Sequence, residues 1–245
     1  MRSRINKKIL VAPLFFLASG AAIAVDDKSA QGDVSWGGEV EFGYVKATGN
    51  TDVENILLRA KVINTRPKWN HELRANSLRN ESDGKTTAKT FVFQGDSKYK
   101  FSDRDFLFGL LRFERDDFAG YDSRTTAVAG YGRQVLKQEN MSLNLEAGAG
   151  VRRTAYENID DSSEGIGRLA GNFKWKVSET SDFSQELYVD FGSDNTVTNS
   201  LSELKVQVIG HLALKVAMSI INNTDVPPNT DKTDIKSAVT VVYDF

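Results

Sequence analysis

The sequence predicts an all-β protein, a single antiparallel transmembrane β-barrel of about 12 strands. Three observations predict it. From Trp36 onward the hydropathy alternates with a period of two, and a 3.6-residue period is scarce. No stretch after residue 24 is long and apolar enough for a membrane-spanning helix, so a membrane-embedded chain must cross with strands. The last nine residues, Ser237 to Phe245, put Val239, Val241, Tyr243 and Phe245 on one face of an extended strand that ends on an aromatic. Termini of soluble domains are usually frayed and polar, whereas a closed barrel must pair its last strand with its first.

The chain opens with a segment that is not part of the fold. Arg2, Arg4, Lys7 and Lys8 form a positive n-region, Ile9 to Leu17 an apolar core, and Ala22-Ile23-Ala24 a small-x-small cleavage site. Residues 1–24 are therefore expected to be a secretory signal peptide cut before Val25. Its removal takes four positive charges and no negative ones, which moves the formal net charge from −2 to −6. A mildly acidic exported chain has no electrostatic reason to bind nucleic acid. The chain has no Cys, and so neither a disulfide framework nor a lipoprotein anchor. Residues 25–34 read as a short periplasmic leader and 35–245 as the barrel.

Twelve strands are expected at 35–47, 53–65, 69–79, 87–101, 104–115, 123–135, 140–154, 164–177, 182–192, 196–209, 211–222 and 233–245. In the first, Trp36, Gly38, Val40, Phe42 and Tyr44 oppose Glu39 and Glu41. In the second, Ile56, Leu58, Ala60 and Val62 oppose Arg59 and Lys61. The third sets Trp69, His71 and Leu73 against Glu72 and Arg74. The fourth opposes Phe91, Phe93, Gly95, Tyr99 and Phe101 to Gln94, Asp96, Lys98 and Lys100. The fifth is ambiguous; placing Leu107, Leu111 and Phe113 outside leaves Arg112 and Glu114 inside. The sixth carries Gly130-Tyr131-Gly132. The seventh sets Met141, Leu143, Leu145, Ala147, Ala149 and Val151 against Asn144, Glu146 and Arg152. The eighth to eleventh add Arg168 and Lys174, Glu186, Glu203 and Lys205, and Lys215 to the inward set.

The connections agree with this order. Odd-numbered ones, expected outside the cell, are mostly the longer, for example Asn80 to Thr86 and Asn223 to Lys232. They collect acidic residues, among them Glu81, Asp83, Asp117, Asp160, Asp161 and Asp194. Pro67, Pro227 and Pro228 all fall between strands, where a sheet tolerates them. A soluble lipocalin-like barrel would bury the apolar face instead. Aromatics near strand ends (Trp36, Tyr44, Trp69, Tyr99, Phe101, Tyr131, Trp175, Tyr243 and Phe245) favour the membrane sense, because such rings form interface girdles.

Gly43-Tyr44-Val45-Lys46-Ala47-Thr48-Gly49-Asn50-Thr51 resembles the opening motif of the YdiY-like salt-induced outer-membrane protein family, a domain of unknown function. Leu110 to Asp116, Gly130-Tyr131-Gly132 and the closing Val242-Tyr243-Asp244-Phe245 also resemble it. The resemblance spans nearly all of the mature chain. It implies a β-barrel in the outer membrane of a Gram-negative bacterium, with no established substrate. It also implies that Tyr243 and Phe245 serve as the assembly signal by which the barrel-assembly machinery takes up the C-terminal strand.

Catalytic chemistry is sparse. Barrel enzymes that act on lipid or peptide use His beside Ser, Asn or Asp at the extracellular rim. Here only His71 and His211 occur, both near the periplasmic end by this topology. There is no Gly-x-Ser-x-Gly elbow, phosphate-binding loop or His/Cys metal spacing, so no cofactor or metal is expected. Asn80 to Gly84 and Asp160 to Glu164 have oxygen ligands, but solvated loops share that composition.

The distinctive chemistry is charge directed inward: Glu39, Glu41, Arg59, Lys61, Glu72, Arg74, Lys98, Arg112, Glu114, Glu146, Arg152, Arg168, Lys174, Glu186, Glu203, Lys205 and Lys215. Mixed signs fit either a lumen stitched by cross-strand ion pairs or a weakly selective pore for small ions or solutes. The expected function is thus a non-enzymatic outer-membrane barrel surrounded by lipid, acting as a narrow porin-like channel or as an envelope-integrity protein under salt stress. A barrel enzyme and a soluble periplasmic binding barrel are the alternatives.

Overall fold

The structure, a computed structural model, describes residues 34–47, 53–117, 121–156, 160–226 and 231–245. The expected signal peptide lies outside these residues, as does the leader except for Val34. So do the Thr48-Gly49-Asn50-Thr51 turn and both Pro227 and Pro228.

Twelve strands form one closed antiparallel barrel in which each strand pairs with its sequence neighbours and β1 with β12. They are β1 (Ser35–Ala47), β2 (Val53–Thr65), β3 (Trp69–Ser82), β4 (Lys85–Lys100), β5 (Asp105–Asp116) and β6 (Tyr121–Lys137). Then follow β7 (Met141–Ala155), β8 (Ser162–Lys176), β9 (Ser181–Gly192), β10 (Val197–Ile209), β11 (Leu212–Asn223) and β12 (Thr233–Asp244). The fold is all-β, with twelve strands.

Most strand ends fall within two residues of the expected bounds, and one connection differs more. The loop expected over 80–86 is a two-residue turn, Asp83-Gly84, with both φ angles positive at 51° and 71°. Asp-Gly is the pair that a type I′ hairpin turn prefers, and such a turn lets β3 and β4 run to its edge.

The outward face is apolar and bare. Leu73, Phe91, Leu107, Leu111, Val151, Leu169, Val216 and Val239 are all exposed. Water would not tolerate such a continuous band, whereas hydrocarbon does. Aromatics cluster at the strand ends joined by the even-numbered turns: Trp69 stacks on His71 at 5.5 Å and meets Tyr99 at 4.9 Å, and Phe101 meets Tyr131 at 6.3 Å.

The seams are unequal. Eleven of them carry ten to fourteen register pairs each. The β1–β12 seam carries four, from Glu39↔Asp244 to Phe42↔Val241. Reciprocal backbone bonds between Gly38 and Phe245, at 2.9 and 3.0 Å, extend it by one step at its foot.

Candidate functional site

The candidate site is the lumen. Strand pleating puts alternate residues inside, and neighbouring registers align them into rows. One row runs Glu39–Lys61–Arg74–Gln94–Arg112–Thr126–Arg152–Glu164 across eight strands. Glu41, Arg59, Glu72, Glu114, Glu146, Arg168, Lys174 and Glu186 have the same inward parity.

One ion pair joins opposite walls. The Arg74 guanidinium on β3 donates Nη1 and Nη2 to the two carboxylate oxygens of Glu186 on β9, both at 2.9 Å. Its Nε donates to Glu72. In the ring β3 and β9 are six strands apart by either route, hence diametrically opposed. A round 12-stranded barrel has a backbone diameter of roughly 24 Å at ordinary strand spacing and tilt. An extended Arg and Glu joined by hydrogen bonds span only about 15 Å from Cα to Cα. The barrel is therefore pinched along the β3–β9 axis, and the Arg74–Glu186 pair divides the lumen into two lobes.

The lobe bounded by β10, β11, β12, β1 and β2 is stitched by charge. Lys215 Nζ lies 2.9 Å from Glu39 and 2.5 Å from Glu41. Glu39 also meets Lys61 at 2.5 Å and Lys205 at 3.4 Å. Arg59 lies 3.5 Å from both Glu41 and Glu203. Glu39, Glu41 and Lys215 are all buried. Charges removed from water are held only by such mutual pairing.

The other lobe, bounded by β4 to β8, is partly apolar. Phe106, Phe108, Val128 and Ile166 form a buried cluster on the inner wall, with Leu110 packed against it. The rings lie against glycines of β6 and β7. A Cβ on Gly130 would fall 2.7 Å from Phe108 Cε1 and 2.6 Å from Gly148 Cα, and one on Gly132 would strike the Phe106 ring. Beside the cluster, Lys98 pairs with Glu146 at 2.5 Å. Arg168 grips Asp190 with bonds of 2.6 and 2.7 Å and covers the Tyr188 ring at 4.4 Å. Arg112 pairs with Glu114 at 2.7 Å, and Arg152 with Glu164 at 2.6 Å. Outside the spanning strands, in the β9–β10 turn, the hydroxyls of Ser162 and Ser193 hold the Asp194 carboxyl below the usual carboxylate range.

Lys174 stands apart. Among the described residues it makes no ion pair, and it lines a cavity of about 130 Å³ beside Arg74 and Glu186. Asp190, Glu164, Arg124 and Asp244 belong to the lumen as well, beyond the inward set expected from the sequence. Extending the parity of Glu186 and Arg168 by four residues each reaches the first two, Asp190 and Glu164. The apolar cluster had its own signal, Gly130, Gly132, Gly148 and Gly150 at two-residue spacing opposite Phe106 and Phe108. Both histidines lie outside the lumen. His71 shares a 2.9 Å hydrogen bond with Ser97 on the outward face, and His211 packs against Tyr243 at 5.7 Å. Among the described residues no group of His, Asp and Glu is placed to hold a metal ion.

Residues 40–245 match the family described as "Protein of unknown function, DUF481". The chain belongs to this family. It is 27% identical over 235 residues to the uncharacterized protein YdiY of Escherichia coli (strain K12), covering 96% of this chain and 93% of YdiY. Among solved structures it is similar to the NanC porin, with a TM-score of 0.55 and 11% identity over 84% of this chain and 98% of that one. An outer membrane channel from Pseudomonas putida F1 superposes with a TM-score of 0.49 at 10% identity, over 92% of this chain and 100% of that one. At such identities the likeness concerns the fold.

Proposed function

We propose that this protein is a narrow porin-like channel of the Gram-negative outer membrane, reached after cleavage of residues 1–24. It is embedded in outer-membrane lipid and passes small ions or solutes with weak charge selectivity. The observation that carries this reading is the inner wall itself: charged side chains of both signs line it, and the Arg74–Glu186 pair narrows it. A wall with one sign of charge would select strongly; opposed pairs cancel most of the field along the axis. The exposed Lys174 gives a slight bias toward anions. Placement of both histidines outside the lumen supports a non-enzymatic role.

The stitched lobe favours a second reading, an envelope-integrity barrel that conducts nothing and acts under salt stress. Planar-bilayer recording on the refolded mature chain in a salt gradient separates the two. The channel reading expects small discrete steps with a reversal potential near zero, and larger steps for Arg74→Ala/Glu186→Ala. Silence from both proteins would overturn it in favour of the structural role.

A further inference from the structure

The β1–β12 ladder stops at Phe42↔Val241. Above that point Gly43–Ala47 pairs only with β2, and Thr233–Thr240 only with β11. Alternate N–H and C=O groups of both edges thus face a gap in the barrel wall. In hydrocarbon each such group left unbonded costs several kcal/mol, which is why membrane barrels close.

We propose that this gap is a lateral portal through which a single-chain amphiphile with an anionic head exchanges between the lumen and the outer leaflet. The portal rests on the membrane orientation proposed above, and not on conduction along the axis.

The gap has a fixed lower end. Lys215 reaches from β11 past β12 to Glu39 and Glu41 on β1, and Thr240 Oγ1 donates to Glu41 at 3.2 Å. Lys205 ties Glu39 to Asp244, and Gly38 pairs with Phe245. Below Phe42 the seam is therefore stapled from inside; above it, among the described residues, no hydrogen bond or ion pair joins the two strands. Gly43 marks the narrow point, where a Cβ would come within 3.1 Å of Thr240 Cγ2 and 3.5 Å of the Val239 carbonyl.

The lining changes at the same height. Below Phe42 this part of the inner wall carries charges, whereas beside the gap it carries Gly43, Val45, Leu57, Ala217 and Ala238 among the polar Asn55, Ser219 and Thr240, with Asp234 and Lys236 towards the rim. Val45 is 55% exposed although it is on the inner face. Tyr44, Ile235 and Val239 continue the apolar surface outside. An acyl chain would meet Val45, Leu57 and Ala238 on the inner side and Tyr44, Ile235 and Val239 on the outer side. Lys236 is on the inner face of β12 across from Ser219 and makes no ion pair among the described residues. It supplies the charge for an anionic head, and the free edge N–H groups supply donors. A β-strand from another protein fits less well. Edges of opposite direction flank the gap, so one inserted strand would have to lie parallel to one of them, the weaker pairing.

Wild-type mature protein in nanodiscs tests this directly by amide exchange. The gap-facing amides of 234–240 should exchange as fast as exposed turns; protection equal to that of the β6–β7 seam overturns the portal. Because the chain has no Cys, Val45→Cys/Ala238→Cys can lock the gap by oxidation. Laurate bearing a tail diazirine should photolabel Leu57 and Ala217, lose that labelling on oxidation and regain it on reduction. Lys236→Gln should reduce labelling by laurate but not by the matching dodecanol probe. Labelling confined to outward residues, or indifferent to the lock, overturns the proposal. A silent bilayer recording with these results intact removes the axial channel and leaves the portal standing.

Discussion

Replacing Lys215 with Met should loosen the foot of the β1–β12 seam. The Lys215 side chain is 4% exposed, and its ammonium lies between the Glu39 and Glu41 carboxylates at 2.9 and 2.5 Å. Met keeps most of the volume, so the packing loss is small. What remains is two buried carboxylates that have lost a shared cation. Breaking a buried pair ordinarily costs about 3–5 kcal/mol. Here Glu39 keeps Lys61 at 2.5 Å and Lys205 at 3.4 Å, while Glu41 keeps Arg59 at 3.5 Å and the Thr240 hydroxyl at 3.2 Å. The expected loss is therefore about 2–4 kcal/mol, at the lower side of the range for a broken pair. Urea unfolding in lipid vesicles measures it, and amide exchange over Glu39–Phe42 localises it. Lys215→Met/Glu41→Gln removes the stranded charge as well and should recover more than half of the loss, a coupling read from a double-mutant cycle. A single variant within about 0.5 kcal/mol of wild type, or a double variant no better than the single, would refute the reasoning that the seam is held by this buried triad.

Two further outcomes follow from the same geometry. Deleting Phe245 removes both backbone bonds to Gly38 and the ring packed over it, from the shortest seam of the barrel. The inserted, heat-modifiable fraction should fall sharply in a refolding assay, and normal insertion would count against Phe245 as an assembly signal. Gly130→Val would drive a side chain into Phe108 and the β7 backbone. It should cost about 1–3 kcal/mol in urea unfolding, as overpacking does, with little change at the opposite lobe.

The strand order was legible because its cause is local. Trp36 to Tyr44 against Glu39 and Glu41 is a period-two pattern that any extended chain would sort to two faces, and the same holds in β2, β4 and β7. Turns were less legible. Asp83-Gly84 closes β3 onto β4 in two residues, yet its polar flanks Asn80, Glu81 and Ser82 have the composition of a loop. In β5 the run Phe106 to Leu111 is apolar on both faces. Only the glycines opposite show that Phe106 and Phe108 have somewhere to lie inside.

By itself the sequence determined the number of strands and, outside β5, the two faces into which each strand sorts its side chains, since both depend on neighbours one or two residues away. The tertiary structure decided which inward charges meet. Arg74 and Glu186 are 112 residues apart, and their bidentate contact depends on how far the whole ring is flattened. It also decided where β12 meets β1. That register is the sum of eleven preceding registers and the strand tilt, so no local pattern encodes it. The short seam, with its stapled foot and open upper half, is a consequence of closing the ring.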